Sequence, residues 1–165
     1  MKSDRLEYRT FKIEDSQDVF EYASDEQVTK YLTWSTHKTL EQTASVLECF
    51  YITNPYCYAI VKDKKCIGSL NITLSENKEA TFGIALNRSY WNQGFATEIL
   101  KAAIKYSFNN LDVEVVKGEY FIGNDASGSV MEKTGMKFVG EAEYLDTGKI
   151  VKVYKLSKED WKSLQ

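Results

Sequence analysis

The sequence predicts a single α/β (α+β) domain, residues 1–165, with one central mixed sheet and helices around it. Three observations predict this class. The length is usual for one compact domain, and no repeat or low-complexity linker divides the chain. Segments rich in β-branched and aromatic residues cluster in the middle of the chain. Segments with helical periodicity lie on both sides of that cluster, a mixture that favours helices packed on one sheet.

The chain begins with a predicted strand and two predicted helices. Charged and apolar residues alternate over 5–11, as they do in a half-buried strand. Apolar residues then recur on one side over 15–23, which predicts a helix. The segment 25–32 is consistent with a second, shorter helix.

A capping box marks the start of the next predicted helix. Thr39 stands at the N-cap position, and Gln42 is placed to reach back to it. The helix runs to about Tyr51 and ends before Asn54 and Pro55, because the residue before a proline disfavours helical backbone.

The period changes in the middle of the chain. Turn-like charged segments separate three predicted strands, which form an antiparallel meander over 56–61, 66–74 and 80–86. A long helix is predicted over 96–109. Its predicted buried face comprises Ala96, Leu100, Ala103 and Ser107, flanked by Ile99 and Ile104.

The C-terminal part completes a set of about seven strands. A strand is predicted over 113–122, and a short helix follows over 125–134. Gly135 is placed to end that helix in the left-handed conformation. Two further strands, over 137–144 and 150–156, are predicted to close as a hairpin.

Charge and hydropathy exclude several classes of function. The net charge is −3 and the isoelectric point about 5.3, so no basic field favours nucleic-acid binding. The start of the chain is too charged for a signal peptide, and no apolar run approaches the length that spans a membrane. We therefore expect a cytoplasmic protein that binds neither membrane nor nucleic acid.

The histidine and the cysteines also limit the chemistry. His37 is the single histidine, which excludes a histidine-rich metal centre, and no metal is expected. Its polar neighbours predict a surface position for it. Cys49, Cys57 and Cys66 lack the close spacing of a zinc or redox site and are expected to be reduced thiols in or near a core.

The segment 80–97 reads as a strand, a short loop and the start of a helix. Gly94 and Ala96 leave the backbone bare where that helix begins, and the first N–H groups of a helix attract anions. No lysine follows the glycine as in a Walker A loop, and the Rossmann GxGxxG pattern is missing. Taken alone, the segment also fits a plain helix start.

A second segment about thirty residues later completes a known pair of motifs. The two segments together resemble the signature regions of GNAT acetyltransferases, and most closely those of the branch that resembles ribosomal-protein N-terminal acetyltransferases. The first matching segment is Tyr90-Trp91-Asn92-Gln93-Gly94-Phe95-Ala96-Thr97-Glu98. The matches in the second are Asn124, Ser127, Val130, Lys133, Gly135 and Met136.

The resemblance covers the whole chain and implies the GNAT fold, a mixed, mostly antiparallel, twisted sheet with helices on both faces. It implies acetyl-CoA as cosubstrate, with the pyrophosphate on backbone N–H groups at the start of the long helix. The pantetheine arm is expected in a splay between the fourth and fifth strands. The residues that the resemblance assigns to acetyl-CoA are Ile84, Ala85, Leu86, Trp91, Asn92, Gln93, Gly94, Phe95, Ala96, Thr97, Asn124 and Ser127.

The catalytic residues are less well determined by the resemblance. Ser127 is expected near the sulfur, where it assists the leaving thiolate, or else it is an ordinary serine of a first helical turn. Asn124 is equally suited to cap the helix that follows it. Thr81 stands where many relatives carry a glutamate, so the resemblance does not identify the general base. Glu79 and Glu119, on strands that flank the expected site, are the candidates.

The acceptor is predicted to be an amine, either the α-amine of a protein N-terminus or a small molecule such as an antibiotic, a polyamine or an amino acid. Tyr31, Trp34 and Tyr90 are candidates for lining the acceptor pocket, and Trp34 is equally suited to local packing. A non-catalytic acyl-CoA-binding module is the alternative of another class. A homodimer is a family-level expectation.

Overall fold

The computed structural model describes the whole chain, from Met1 to Gln165, and contains seven strands and six α-helices. The strands are β1 (Glu7–Arg9), β2 (Cys57–Lys62), β3 (Lys65–Leu74), β4 (Glu79–Leu86), β5 (Val115–Phe121), β6 (Lys137–Glu143) and β7 (Ile150–Ser157). The helices are α1 (Ser16–Ala23), α2 (Glu26–Thr29), α3 (Leu40–Val46), α4 (Phe95–Asn110), α5 (Asp125–Lys133) and α6 (Lys158–Ser163).

The strands form one mixed sheet in the order β1-β2-β3-β4-β5-β7-β6. The pairs β1–β2, β2–β3, β5–β7 and β6–β7 are antiparallel, whereas β4 and β5 are parallel. The predicted seven-stranded mixed sheet flanked by helices is thereby confirmed. None of the helices combines the length and the apolar character needed to cross a lipid bilayer.

The chain divides into two compact units. The first unit is Met1–Asn71 with Gly83–Ile99, and the second unit is Ile72–Phe82 with Leu100–Gln165. In the first unit the apolar side of α1 packs on β2, β3 and the end of β4. The buried members of this cluster are Phe11, Val19, Tyr22, Ala23, Val28, Leu47, Ala59, Val61, Cys66 and Ala85.

The second unit is built on β5 and the hairpin β6–β7. Alternate residues of β5, Val116, Gly118 and Tyr120, are buried. Gly118 packs closely on Met131, and a Cβ there would stand 2.7 Å from Cε of that flexible side chain, which would have to shift. Gly135 has a φ of +87° directly after Thr134, the C-cap of α5, which confirms the predicted left-handed cap.

Several local predictions differ from the structure at their boundaries. The first strand is confined to Glu7–Arg9, and the helix that begins after Thr39 changes to a π-helix over Leu47–Tyr51. Thr39 accepts the predicted hydrogen bond from the N–H of Gln42 at 3.1 Å. Gln42 reaches back one residue further than predicted, to the N–H of Lys38.

The buried face of α4 includes Leu100, Ala103 and Ser107, with Ile99 and Ile104 beside them, as predicted. Ala96 is only half-buried, whereas Phe95 and Phe108 are buried at the two ends of the helix. The prediction is wrong only at Ala96, because helical periodicity gives the stripe of a helix but not where the contact along that stripe begins. The Oγ atom of Ser107 is buried without a hydrogen-bond partner.

The predicted surface position of His37 is wrong. The relative exposure of His37 is 7%, and its ring Nδ1 lies 2.8 Å from Oγ1 of Thr43. Its backbone N–H donates to the carbonyl of Ala23. Burial lowers the pKa of His37 below its ordinary value of 6.5, because the charged imidazolium loses hydration. The polar sequence around His37 does not show that the hydroxyl of Thr43, one turn into α3, provides a hydrogen-bond partner for the buried imidazole.

Candidate active site

The loop that follows β4 is held in place by Asn87. Its N–H donates to the carbonyl of Ile67 at 2.8 Å, and its Oδ1 accepts from the N–H of Ser89 at 3.0 Å. Its Nδ2 donates to Glu21, which also pairs with Lys65. These lysine and asparagine contacts lower the pKa of the Glu21 carboxyl. Sequence reasoning missed Asn87, although an asparagine at a strand end is a recognisable cap for a following turn.

Two side chains of the loop fold back onto it. The indole Nε1 of Trp91 donates to the carbonyl of Leu86 at 2.8 Å, and Nε2 of Gln93 donates to the carbonyl of Ser89 at 2.9 Å. Between and after them, Asn92 and Gly94 have left-handed φ values of +59° and +80°. The side chains of Trp91 and Gln93 therefore shape the loop, and the carbonyl of Leu86 already accepts one hydrogen bond within it.

The start of α4 offers backbone donors. The first bond of the helix runs from the N–H of Glu98 to the carbonyl of Gly94 at 3.1 Å. The N–H groups of Phe95, Ala96 and Thr97 precede that bond and have no partner within the helix. Gly94 is exposed, so an anion can approach this end of the helix, where the dipole is positive. The residues present fit a pyrophosphate.

The end of β4 lies against β3 at very close range. Ile84 is half-buried, and Ala85 and Leu86 are buried. A Cβ on Gly68 would stand closer than 3.0 Å to the carbonyl oxygen of Ala85 and 3.2 Å from Cα of Leu86. Gly68 allows β3 and β4 to approach closely, and it contacts the backbone of Ala85 and Leu86, which the resemblance assigns to pantetheine.

In the second unit, Asn124 and Ser127 lie at the start of α5. Asn124 occupies the N-cap position, but its side chain makes no capping hydrogen bond, so a side-chain cap is the wrong interpretation. Its carbonyl accepts from the N–H of Ser127 at 3.0 Å, and the Ser127 side chain is half-buried. The adjacent Gly128 packs on the phenol of Tyr120, whose hydroxyl would lie 2.5 Å from a Cβ at position 128.

The two candidate bases each hold a lysine. Glu79 pairs with Nζ of Lys155 at 2.6 Å, and Glu119 pairs with Lys117 on its own strand. Lys117 and Lys155 are register partners on β5 and β7, so two like charges lie side by side on the same face of the sheet. The two carboxylates offset this repulsion, which gives both of them a structural role.

The three aromatic candidates for the acceptor site belong to the first unit. Nζ of Lys30 lies 4.9 Å from the ring centroid of Tyr31, and Trp34 packs against the hydrophobic cluster with its ring 5.2 Å from that of His37. The ring of Tyr90 lies 6.1 Å from that of Phe95. Trp34 therefore makes the local packing contacts that were the alternative to a pocket role.

Comparison with known proteins links these features to one family. A model of the acetyltransferase (GNAT) domain matches residues 5–137 of this chain. An uncharacterised N-acetyltransferase of Bacillus subtilis (strain 168), YoaA, is 24% identical over 148 residues, which cover 85% of this chain and 84% of that protein. The solved structure of a GNAT-family acetyltransferase from Bacillus anthracis has a TM-score of 0.86 at 25% identity, covering 96% of this chain and 98% of that one.

Two further solved structures share the fold and were obtained with coenzyme A. A ribosomal-protein alpha-N-acetyltransferase has a TM-score of 0.80 at 20% identity and covers 96% of this chain and 97% of that one. The spermidine N-acetyltransferase of Vibrio cholerae, solved with CoA and spermine, has a TM-score of 0.79 at 16% identity and covers 96% and 98%.

Proposed function

The chain belongs to the GNAT acetyltransferase family and is an acetyl-CoA-dependent N-acetyltransferase, and on that premise we propose that its acceptor is the α-amine of a protein N-terminus. The observation that carries the choice of acceptor is the pairing of Glu79 with Lys155 and of Glu119 with Lys117. Because both carboxylates form ion pairs with lysines, neither is free to act as a general base, and an acceptor amine that is deprotonated easily at neutral pH is favoured.

The free energy needed to deprotonate the acceptor amine differs between the candidate acceptors. An amine must be neutral to attack a thioester. An α-amine with a pKa of about 7.7–8.0 loses its proton at pH 7 for roughly 1 kcal/mol, whereas a lysine amine with a pKa of about 10.4 costs nearly 5 kcal/mol. A spermidine-type primary amine resembles the lysine case. An α-amine needs no dedicated carboxylate base, and a chain of water molecules is sufficient to carry its proton away.

Acetyl transfer then proceeds by direct attack in a ternary complex. The amine nitrogen forms a bond to the thioester carbonyl carbon and gives up one proton to water, the carbon–sulfur bond breaks, and the CoA thiolate leaves and takes up a proton. We assign to Ser127 the assistance of that thiolate, because it matches the serine of the second family motif. Backbone N–H groups of β4 around Ile84 and Ala85 stabilise the oxyanion, and one such donor is typically worth about 3–4 kcal/mol of barrier.

The cofactor half of the site rests on the first turn of α4. The N–H groups of Phe95, Ala96 and Thr97 bind the pyrophosphate, with Gly94 providing the approach. Ile84 and Ala85 offer backbone groups to the pantetheine. In the second unit the Asn124 side chain, which makes no cap, is assigned to the pantetheine amide.

Three further properties are proposed from the sequence alone. They are the action of residues 1–165 as one catalytic domain, the homodimer and the cytoplasmic location. Tyr31, Trp34 and Tyr90 likewise remain the proposed wall of the acceptor pocket.

The first experiment tests the cofactor site with a matched pair of variants. Asparagine and aspartate both tolerate a left-handed φ, so Gly94→Asn and Gly94→Asp differ chiefly by one negative charge. Calorimetry is expected to show acetyl-CoA binding to the wild type and to Gly94→Asn, and none to Gly94→Asp. Ligand at about 100 times its Kd stabilises the fold by about 2.7 kcal/mol, which thermal unfolding detects. A wild type that binds no acyl-CoA contradicts the proposal.

The second experiment tests the acceptor. Release of the CoA thiol is followed with a peptide that has a free α-amine, with an N-terminally blocked peptide that contains lysine, and with spermidine. The difference in deprotonation predicts that kcat/KM at pH 7 is about 10²-fold higher for the α-amine peptide. A preference for spermidine assigns the enzyme to small-molecule amines, and a preference for the blocked peptide assigns it to lysine side chains. Either result rejects the proposed acceptor.

A further inference from the structure

The guanidinium group of Arg5 lies on the loop that precedes α4. Its Nε donates to Oε2 of Glu98 at 2.7 Å, and its Nη1 donates to the backbone carbonyl of Gln93 at 3.0 Å. Its Cζ lies 4.2 Å from the ring centroid of Phe95. One side chain near the N-terminus therefore contacts the loop, the first residue of the helix and the first helical turn, all within the first unit.

Glu98 fixes the position of this arginine. Its Oε1 accepts from the N–H of Arg5 and from Oγ of Ser3, each at 2.8 Å, and its Oε2 accepts from Nε of Arg5. Burial alone would raise the pKa of Glu98, but these hydrogen bonds and the arginine charge outweigh it and lower the pKa below 4.5. The carboxylate stays ionised at neutral pH and holds the guanidinium in one orientation.

The contact with Gln93 has a consequence for the next amide. All peptide bonds of the chain are trans, so the carbonyl of Gln93 and the N–H of Gly94 point in opposite directions from one planar unit. When Arg5 holds that carbonyl, the N–H of Gly94 is directed away from the arginine. A glycine at φ +80° could otherwise turn this peptide plane at little cost, because it has no Cβ.

We propose that Arg5 is a positioning residue for acetyl-CoA, which orients the N–H of Gly94 so that it binds the pyrophosphate together with the first turn of α4. The inference rests on the proposed cofactor site and extends it to a residue that lies outside both family motifs. Arg5 acts through the backbone of Gln93, while its charge is matched by Glu98.

The test compares three variants for CoA binding by calorimetry. Arg5→Gln removes the fork that joins Glu98 to Gln93 and is expected to weaken CoA binding about tenfold. Arg5→Lys keeps the charge but cannot contact both groups, so an equal loss is expected. Arg88→Gln is the control, because Arg88 carries a comparably exposed ion pair, with Asp25 at 2.8 Å, and it is expected to bind CoA within about twofold of wild type.

Two further readouts separate positioning from a general loss of structure. With saturating CoA, the backbone amide resonances of Gly94 and Ala96 are both expected to move in wild type, whereas in Arg5→Gln only that of Ala96 moves. Dephospho-CoA, which retains the pyrophosphate, is expected to lose affinity for Arg5→Gln by the same factor as CoA.

The outcomes are distinct. Wild-type affinity in Arg5→Gln or in Arg5→Lys overturns the positioning role while leaving the proposed function intact. A loss confined to CoA and absent with dephospho-CoA also overturns it, because Arg5 would then contact the 3′-phosphate directly. Failure of wild type itself to bind CoA rejects the proposed cofactor site rather than this inference alone.

Discussion

Replacement of Gly68 by alanine tests the close approach of β3 to β4. The new Cβ would stand closer than 3.0 Å to the carbonyl oxygen of Ala85, and 3.2 Å from Cα of Leu86. Ordinary carbon–oxygen contacts begin at about 3.3 Å. Because both atoms belong to the backbone, no side-chain rotation relieves the contact, and the strand itself must move. Overpacking of this kind costs about 1–3 kcal/mol, and for a chain of this size that lowers Tm by about 2–12 °C.

Gly83→Ala is the matched control. A Cβ at Gly83 meets only Cβ of Asn71, at an ordinary 3.8 Å, and the backbone there has no positive φ. This variant is expected to be neutral or more stable by up to about 1 kcal/mol, because alanine restricts the unfolded chain. Thermal and urea unfolding give the stabilities, and calorimetry gives the acetyl-CoA affinity, which is expected to fall only in Gly68→Ala because Ala85 is displaced. Equal stability and affinity of the two variants would refute the reasoning.

Three further predictions concern titration and catalysis. Burial lowers the pKa of His37, so the free energy of unfolding is expected to fall as the pH drops from 6.5 towards the folded-state pKa. Urea unfolding between about pH 8 and about pH 5 is expected to show this decrease in wild type and not in His37→Gln. Burial alone would raise the pKa of Asp15, but the hydrogen bond and charge of Arg9 hold it below 3.8. Asp15→Asn is therefore expected to lower the free energy of unfolding by about 2–4 kcal/mol at pH 7. The difference from wild type is expected to shrink as the pH falls through the folded-state pKa of Asp15. Glu79→Gln and Glu119→Gln are expected to keep kcat for an α-amine peptide within about threefold of wild type, and a loss above about a hundredfold in either one would identify a general base.

Most elements were predictable because their signals are local. The capping oxygen of Thr39 accepts from an N–H three residues away, and Gly135 lies two residues after the end of α5. The strands β2, β3 and β4 were each found within two residues of their predicted bounds, since they are rich in β-branched and aromatic residues and charged, turn-like segments separate them. The helix start at Gly94 was recognisable for the same reason.

The candidate site was predictable only in its backbone part. The motif around Gly94 located the loop, but neither Arg5 nor Asn87 was expected to support it. Arg5 and Glu98 are 93 residues apart in sequence, and Asn87 and Glu21 are 66 apart. A carboxylate accepts from whichever donor the fold brings near it, so no spacing rule connects such partners.

The sequence by itself determined the order of helices and strands, the helix start at Gly94 and the family, because these depend on residues close together in the chain. The tertiary structure alone decided that His37 is buried on Thr43, that Glu79 and Glu119 hold lysines, and that Arg5 holds the loop before α4. Burial and ion pairing depend on neighbours in space, which local periodicity does not specify.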